Sequence, residues 1–273
     1  SVEDVHLRVA MEEISGVDLT WFFDQWYHRE GHPVVDVQYE QDSSSNELKV
    51  KVSQEEGVYG TFMFHVDLIA GAGERSVTKR LWVDESSEAF SVVFDFVPEW
   101  YAIDPEGDML WEVNEVKSGA AWMEQLERAP HFMTRSEALR TSDQLRTEFS
   151  VRYRKQLFNM LGSPEEFWAI KKVAASELPG LIGLDTNAAM NALMRTFQEE
   201  KNTELRAQAL FSMDSLSGGD EGMTDLCIGA MQDSSMRVVR AALSTLTERD
   251  PCSAIGLSQN LQEEDSEEMV FGV

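Results

Sequence analysis

Gly31-His32-Pro33-Val34-Val35-Asp36-Val37-Gln38-Tyr39 is the stretch in which the apolar period of this chain changes from helical to two. Gly31 and Pro33 stop what precedes them, and Val35, Val37 and Tyr39 then alternate with polar residues as in a half-buried strand. The alternation returns at Leu48, Val50 and Val52, at Phe62, Phe64, Val66 and Leu68, from Val77 to Val83, and from Phe90 to Phe96. The segments between them, Ser43-Ser44-Ser45-Asn46, Glu55-Glu56-Gly57, Gly71-Ala72-Gly73 and Asp84-Glu85-Ser86-Ser87, carry turn chemistry. Five or more short strands with no helix between them predict an antiparallel β-sandwich. Trp100, Tyr101 and Ile103 close it before the Asp104-Pro105-Glu106-Gly107 turn.

Upstream, residues 1–31 read as two short helices. Ser1 with Asp4 resembles a capping box, Val2, Val5, Val9 and Ile14 form a loose stripe, and Gly16 ends the first helix. Asp18 caps the second, in which Leu19, Phe22, Phe23 and Trp26 make one apolar face. Downstream of Met109 the helical period returns. It predicts helices over 109–127, 134–148, 150–160, 164–177, 186–199, 203–213, 220–231, 235–248 and 251–262, punctuated by Pro130, Pro164, Pro179 and Pro251. Arg135-Ser136-Glu137-Ala138-Leu139 recurs as Arg206-Ala207-Gln208-Ala209-Leu210, and Arg240-Ala241-Ala242-Leu243 comes 34 residues after that. Such a step suits an α-solenoid of HEAT-like helix pairs, with Ala and Leu as the seam and the Arg bracing the adjacent turn. The expected organisation is therefore terminal helices over 1–32, a β-sandwich over 33–108 and a helical repeat domain over 109–273.

With 273 residues, 42% of them hydrophobic, the chain can fill a core. Its 49 acids against 23 bases leave a net charge of −26, which repels a nucleic-acid backbone or an anionic membrane unless a basic stripe overrides it. Lys171-Lys172 and Arg152/Arg154 are the densest basic spots and read as solvated helix faces. No apolar run approaches the ~20 residues that span a bilayer. Neither nucleic acid nor membrane is an expected partner.

The motifs that would carry chemistry are few. His28-Arg29-Glu30-Gly31-His32 places two His at the i, i+4 spacing of a zinc site, but the Glu does not come directly after the first His, and Gly31 with Pro33 breaks the helix at the second. His6, His65 and His131 are isolated. Cys227 and Cys252 stand too far apart for a Cys-x-x-Cys, and one disulfide between them stays open. There is no Gly-x-Ser-x-Gly elbow and no glycine-rich phosphate loop. Asp104-Pro105-Glu106-Gly107-Asp108 has calcium-like oxygen spacing without the twelfth-position Glu, and reads as a joining turn. Asp225, Asp233, Glu85/Glu88 and Glu263/Glu264 read as solvated faces. No catalytic, cofactor-binding or metal-binding residue is assigned.

Ser15-Gly16-Val17-Asp18-Leu19-Thr20-Trp21-Phe22-Phe23-Asp24-Gln25-Trp26, followed by Gly31-His32-Pro33-Val34-Val35-Asp36-Val37, resembles the end of the catalytic domain and the entry into the β-sandwich in aminopeptidase N-type zinc metallopeptidases. Val97-Pro98 to Asp104-Pro105 and Leu110-Trp111-Glu112-Val113 resemble that family's exit from the sandwich, and the later helices resemble its C-terminal HEAT-like domain. The resemblance implies a C-terminal portion whose partner is a missing N-terminal catalytic domain of the same polypeptide. That domain would hold zinc and hydrolyse peptides at their N-termini. The family's His-Glu-x-x-His and Gly-x-Met-Glu-Asn motifs do not occur here, so the chain alone is expected to be inactive and to serve as a spacer and helical wall over the active-site cavity. The alternative is a protein-binding HEAT-type scaffold from a catalytically dead relative.

Overall fold

The structure is a computed structural model that describes residues 3–42, 44–55, 60–181 and 183–258. It runs from N-terminal helices through a β-rich region into a helical C-terminal half, and separates into two compact units, Ser1–Thr134 and Arg135–Val273.

In the first unit, helix α1 (Asp4–Ser15) is followed by a single α-helical turn, α2 (Thr20–Phe23), and a π-helical turn, Asp24–His28. The α1 cap is two residues on from expectation: Glu3 is the N-cap, His6 reaches back to its backbone, and Ser1 lies outside the described residues. Gly16 takes the left-handed φ of 72° that closes the helix. Asp18 accepts from the Thr20 backbone at 2.8 Å. Phe23 is buried and Trp26 packs on Phe62. The buried Gln25 side chain pairs both ways with the Met63 backbone, donating to its carbonyl at 2.8 Å and accepting from its N–H at 2.7 Å. A primary amide is the side chain that satisfies a donor and an acceptor at once in a dry place.

The strands are β1 (Val34–Gln41), β2 (Glu47–Gln54), β3 (Phe64–Ala72), β4 (Arg75–Val83), β5 (Ser87–Val93), β6 (Trp100–Ile103) and β7 (Glu112–Val116). They form one sheet in the order β5-β2-β1-β7 and another in the order β4-β3-β6. The expected strands are present, with one correction. Residues 112–116, expected to be helical, form β7, which runs parallel to β1 and makes the first sheet mixed. Helix begins only at α3 (Gly119–Arg128), capped by the Ser118 hydroxyl. Val35, Val37, Val50, Val52, Val66, Leu68, Tyr101 and Ile103 bury the shared face of the two sheets. Ile69, Trp100 and Ala102 point the other way and pack with Ala129, so β6 is buried on both faces. Pleating explains the split: neighbours along a strand face opposite sides.

The second unit is helical: α4 (Phe132–Arg140, which straddles the boundary), α5 (Ser142–Glu148), α6 (Ser150–Gly162), α7 (Trp168–Glu177), α8 (Thr186–Glu199), α9 (Thr203–Leu216), α10 (Glu221–Ala230) and α11 (Met236–Arg249). Each of α6/α7, α8/α9 and α10/α11 packs as a pair, and the pairs stack: α7 touches α9, α9 touches α11, and α6 touches α8. Leu157, Ala174, Leu193, Leu205, Ala209, Leu210, Ala242 and Leu246 make the seam.

Charged clamps join successive pairs. Arg135 grips Glu166 with two bonds of 2.8 and 2.7 Å, Lys171 meets Glu200 at 2.5 Å, and Arg206 meets Asp233 through both carboxylate oxygens. In each case the cation is the fourth residue of its helix and the acid lies two or three residues before a later one. Two expectations are thereby corrected. Lys171 is not a solvated face, its side chain being 7% exposed, and Asp233 is an inward clamp. Arg135 and Arg206 brace the next turn as expected, whereas Arg240 does not. Its helix starts 33 residues after α9, not 34, so Arg240 is the fifth residue and the fourth is the buried Val239. One residue turns a side chain by about 100° around a helix.

The tightest backbone approach in the sheets is at Gly71, where a Cβ would fall 2.5 Å from the Trp100 ring and 2.6 Å from the Arg75 carbonyl. We expect Gly71→Ala to lower the unfolding free energy by roughly 1–3 kcal/mol, the usual cost of overpacking, in urea denaturation. A variant as stable as the wild type would mean that the Trp100 ring gives way freely.

Candidate functional site

Histidine, the residue most able to build a metal or acid–base site, is dispersed. His28 Nε2 lies 2.9 Å from Asp4, and His32 Nε2 lies 2.9 Å from Glu112, so the two rings of the i, i+4 pair serve carboxylates on different elements. His65 packs against Trp82 with ring centroids 4.5 Å apart, and His131 is 4.0 Å from Glu106. Among the described residues no group of three or more His, Cys, Asp or Glu is placed to hold a metal ion.

The oxygen-rich turn has its own employment. Asp104, at a left-handed φ of 48°, accepts from the Asp108 N–H at 2.9 Å and the Met109 N–H at 3.1 Å. Nearby Asp67 is held by Arg80 in a two-bond pair, which pulls its carboxyl below the usual range. These residues, with His65 and His131, border a depression of about 260 Å³. Of its carboxylates, Asp104 shapes the turn that leads from β6 to β7, and Asp67 is taken up by Arg80.

The densest buried polar cluster lies behind the first sheet and was missed in the sequence. Lys117, its side chain fully buried, donates to the Tyr101 carbonyl at 2.6 Å, to Glu115 Oε2 at 2.9 Å and to Gln125 Oε1 at 2.7 Å. The Trp122 ring faces the ammonium with its centroid 3.9 Å away. Glu115 Oε2 also accepts from the Tyr39 hydroxyl at 2.5 Å, and Gln125 passes the chain on to the Thr134 carbonyl at 2.7 Å. Burial first, and then the Glu115 charge, pushes the Tyr101 phenol up to about 12; the same two causes raise Tyr39 well above its ordinary value. All three ammonium protons have acceptors, so the cluster is built as a tie between β1, β6, β7 and α3. The sequence signal was slight: Val113 and Glu115 share the inner face at the strand spacing, and Ser118 offers a helix cap.

A surface groove lies in the helical unit. Lys172, Glu204, Phe211, Met236, Arg237 and Arg240 line a groove of about 560 Å³ along α7, α9 and α11. Lys172 meets Glu204 at 2.8 Å and Arg237 meets its other oxygen at 3.1 Å, together holding the Glu204 carboxyl below its usual range, Lys172 foremost. The two thiols are free and unlike. Cys252 is exposed, whereas Cys227 is buried and its thiol is pushed up to about 11, mainly by desolvation.

No protein-family model and no curated protein sequence matches this chain. Among solved structures it is similar to Legionella pneumophila aminopeptidase A, crystallised with aspartic acid, with a TM-score of 0.70 and 14% sequence identity. The similarity covers 93% of this chain and 36% of that one, so the chain spans about a third of that neighbour. At this identity the likeness concerns the fold.

Each buried group can be probed in solution. We expect Lys117→Met to cost roughly 3–5 kcal/mol, because it strands the Glu115 charge in a dry site; a loss below 1 kcal/mol in urea denaturation would refute the tie. The tyrosine shifts have a definite sign: because the folded phenols titrate above their unfolded value near 10, the stability they add is complete below pH 10 and fades as pH climbs toward 12. In thiol labelling at pH 8, one group should react in the native protein and two in denaturant. Two fast native thiols would contradict the placing of Cys227.

Proposed function

We propose that this chain is the non-catalytic C-terminal portion of a zinc-dependent aminopeptidase of the aminopeptidase N type. Its β unit would act as a spacer and its stacked helix pairs as a wall limiting which peptides reach the active-site cavity. The zinc and the hydrolysis of N-terminal peptide bonds would belong to a catalytic domain supplied by the rest of the same polypeptide, since His28 and His32 are turned to separate carboxylates. The likeness to Legionella aminopeptidase A over nearly all of this chain and a third of that protein supports the reading.

The observation that carries it is the state of α1. This helix buries no residue, and Val5, Leu7, Val9, Met11 and Ile14 are all exposed, Ile14 to 89%. Leu7, Met11 and Ile14 share one side of the helix; Val5 and Val9 share another. What ties α1 to its own unit is its polar side: Arg8 donates to Thr20 at 2.9 Å, and Glu12 accepts from the Leu19 N–H at 2.9 Å. A helix that shows water its apolar sides and keeps its charges inward is made to be covered. It leads directly into the stretch from Ser15 whose sequence resembles the end of a catalytic domain, and such a domain is the body that would cover it.

We expect the purified chain to retain no zinc after gel filtration and to leave aminoacyl reporter substrates uncleaved. Stoichiometric zinc with measurable turnover would refute the reading. Supplied in trans with the metal-bearing domain, the chain should bind it, and Leu7→Asp/Ile14→Asp should weaken that binding roughly a hundredfold, each lost apolar anchor being worth about 1.4 kcal/mol.

A further inference from the structure

We propose that the groove on α7, α9 and α11 is the docking site of this chain's own acidic-apolar segment, Glu263-Glu264-Asp265-Ser266-Glu267-Glu268-Met269-Val270-Phe271, which lies outside the described residues. The inference goes beyond the peptidase reading and holds whether or not that reading does.

Charge is the first argument. In a chain of net charge −26, the groove lining gathers Lys172, Arg237 and Arg240 against the single acid Glu204. Glu204 occupies Lys172 and Arg237, while Arg240 is exposed and has no hydrogen-bond or ion-pair partner among the described residues. The groove thus keeps an excess of two positive charges. The floor is the second argument: Phe211 and Met236 are exposed there, 40% and 58%, beside the small side chains of Ala207 and Ala241. A fitting occupant brings carboxylates followed by apolar side chains. The segment supplies five acids in six residues, and then Met269, Val270 and Phe271.

Reach is the third argument. From Arg240 the chain continues along α11 to Arg249 and is helical again over 251–258. At 1.5 Å per helical residue, Ser258 lies within about 30 Å of Arg240 whichever way the last helix runs. At about 3.4 Å per extended residue, the acids reach roughly 17–34 Å beyond Ser258 and Phe271 roughly 45 Å. The segment can therefore lay its carboxylates on Arg240 and Arg237 and its apolar end on Phe211 and Met236.

The test is limited chymotrypsin digestion of the full chain, with cleavage at Phe271 followed by intact mass. Docking should protect Phe271. Arg240→Glu, at an exposed residue with no ion pair among the described residues, should speed that cleavage roughly tenfold with the melting temperature unchanged. Reversing the segment (E263K/E264K/E267K/E268K) should do the same, and combining both reversals should restore protection. Raising salt from 0.05 to 0.5 M should also speed cleavage of the wild type. Equal rates in all four proteins and at both salts would overturn the proposal. So would binding of an added peptide of residues 259–273 to the groove of the full chain while Phe271 stays unprotected, since the groove would then serve a separate acidic partner.

Discussion

One ammonium group holds the first unit together where its architecture changes. Lys117 ties the end of β7 to the β6 backbone, through Glu115 to Tyr39 on β1, and through Gln125 to α3. Burying an ammonium ion costs several kcal/mol unless every donor is met and the opposite charge is close, so the site tolerates little rearrangement. That demand fixes where the parallel strand stops and the helix behind the sheet begins. With α3 held in place, Ile69, Trp100 and Ala102 gain a cover for the outer face of β3 and β6.

Strands β1 and β2 and the first half of β3 were legible because they bury one face, and Val35, Val37, Leu48, Val50, Val52, Phe64, Val66 and Leu68 display the period of two directly. β7 was not. Its five residues include two glutamates and an asparagine, and its inward Glu115 answers a lysine rather than the apolar core, so the stretch looks like a solvated helix face until Lys117 is seen. Clamp residues were hidden for a related reason. Lys171 and Asp233 are charged and read as exposed, yet each is sheltered by a partner roughly thirty residues away, a distance at which local pattern says nothing. Arg240 shows the reverse failure. It fits the repeat in sequence, but a one-residue slip in helix start turns it away from the clamp position.

For the candidate site, the sequence read the His28/His32 spacing as broken by Gly31 and Pro33, and the two rings face carboxylates on different elements. It was silent about the groove, whose lining is gathered from three helices spread over residues 172–241. It was silent too about α1, where a stripe of valines looked like an ordinary core face. Val5 and Val9 do share a side, Ile14 lies on another, and among the described residues neither side is buried, which no pattern within the helix records.

The clamps run in one direction, from the fourth residue of one helix to an acid just ahead of a later helix. Lys171 depends on Glu200 and Arg206 on Asp233, with both cations largely hidden from water. A shortened chain that lost Asp233 would strand Arg206, and one that lost Glu200 would strand Lys171, so the stack cannot be trimmed one pair at a time without injuring the pair left behind. At α11 the fourth position is Val239, which requires no acid from any later helix, and two ion pairs of this helix, Arg237 to Glu204 and Arg249 to Asp214, point back to α9. Apolar contact thus stands in for charge at that position, and a cut placed after α11 would strand no cation there.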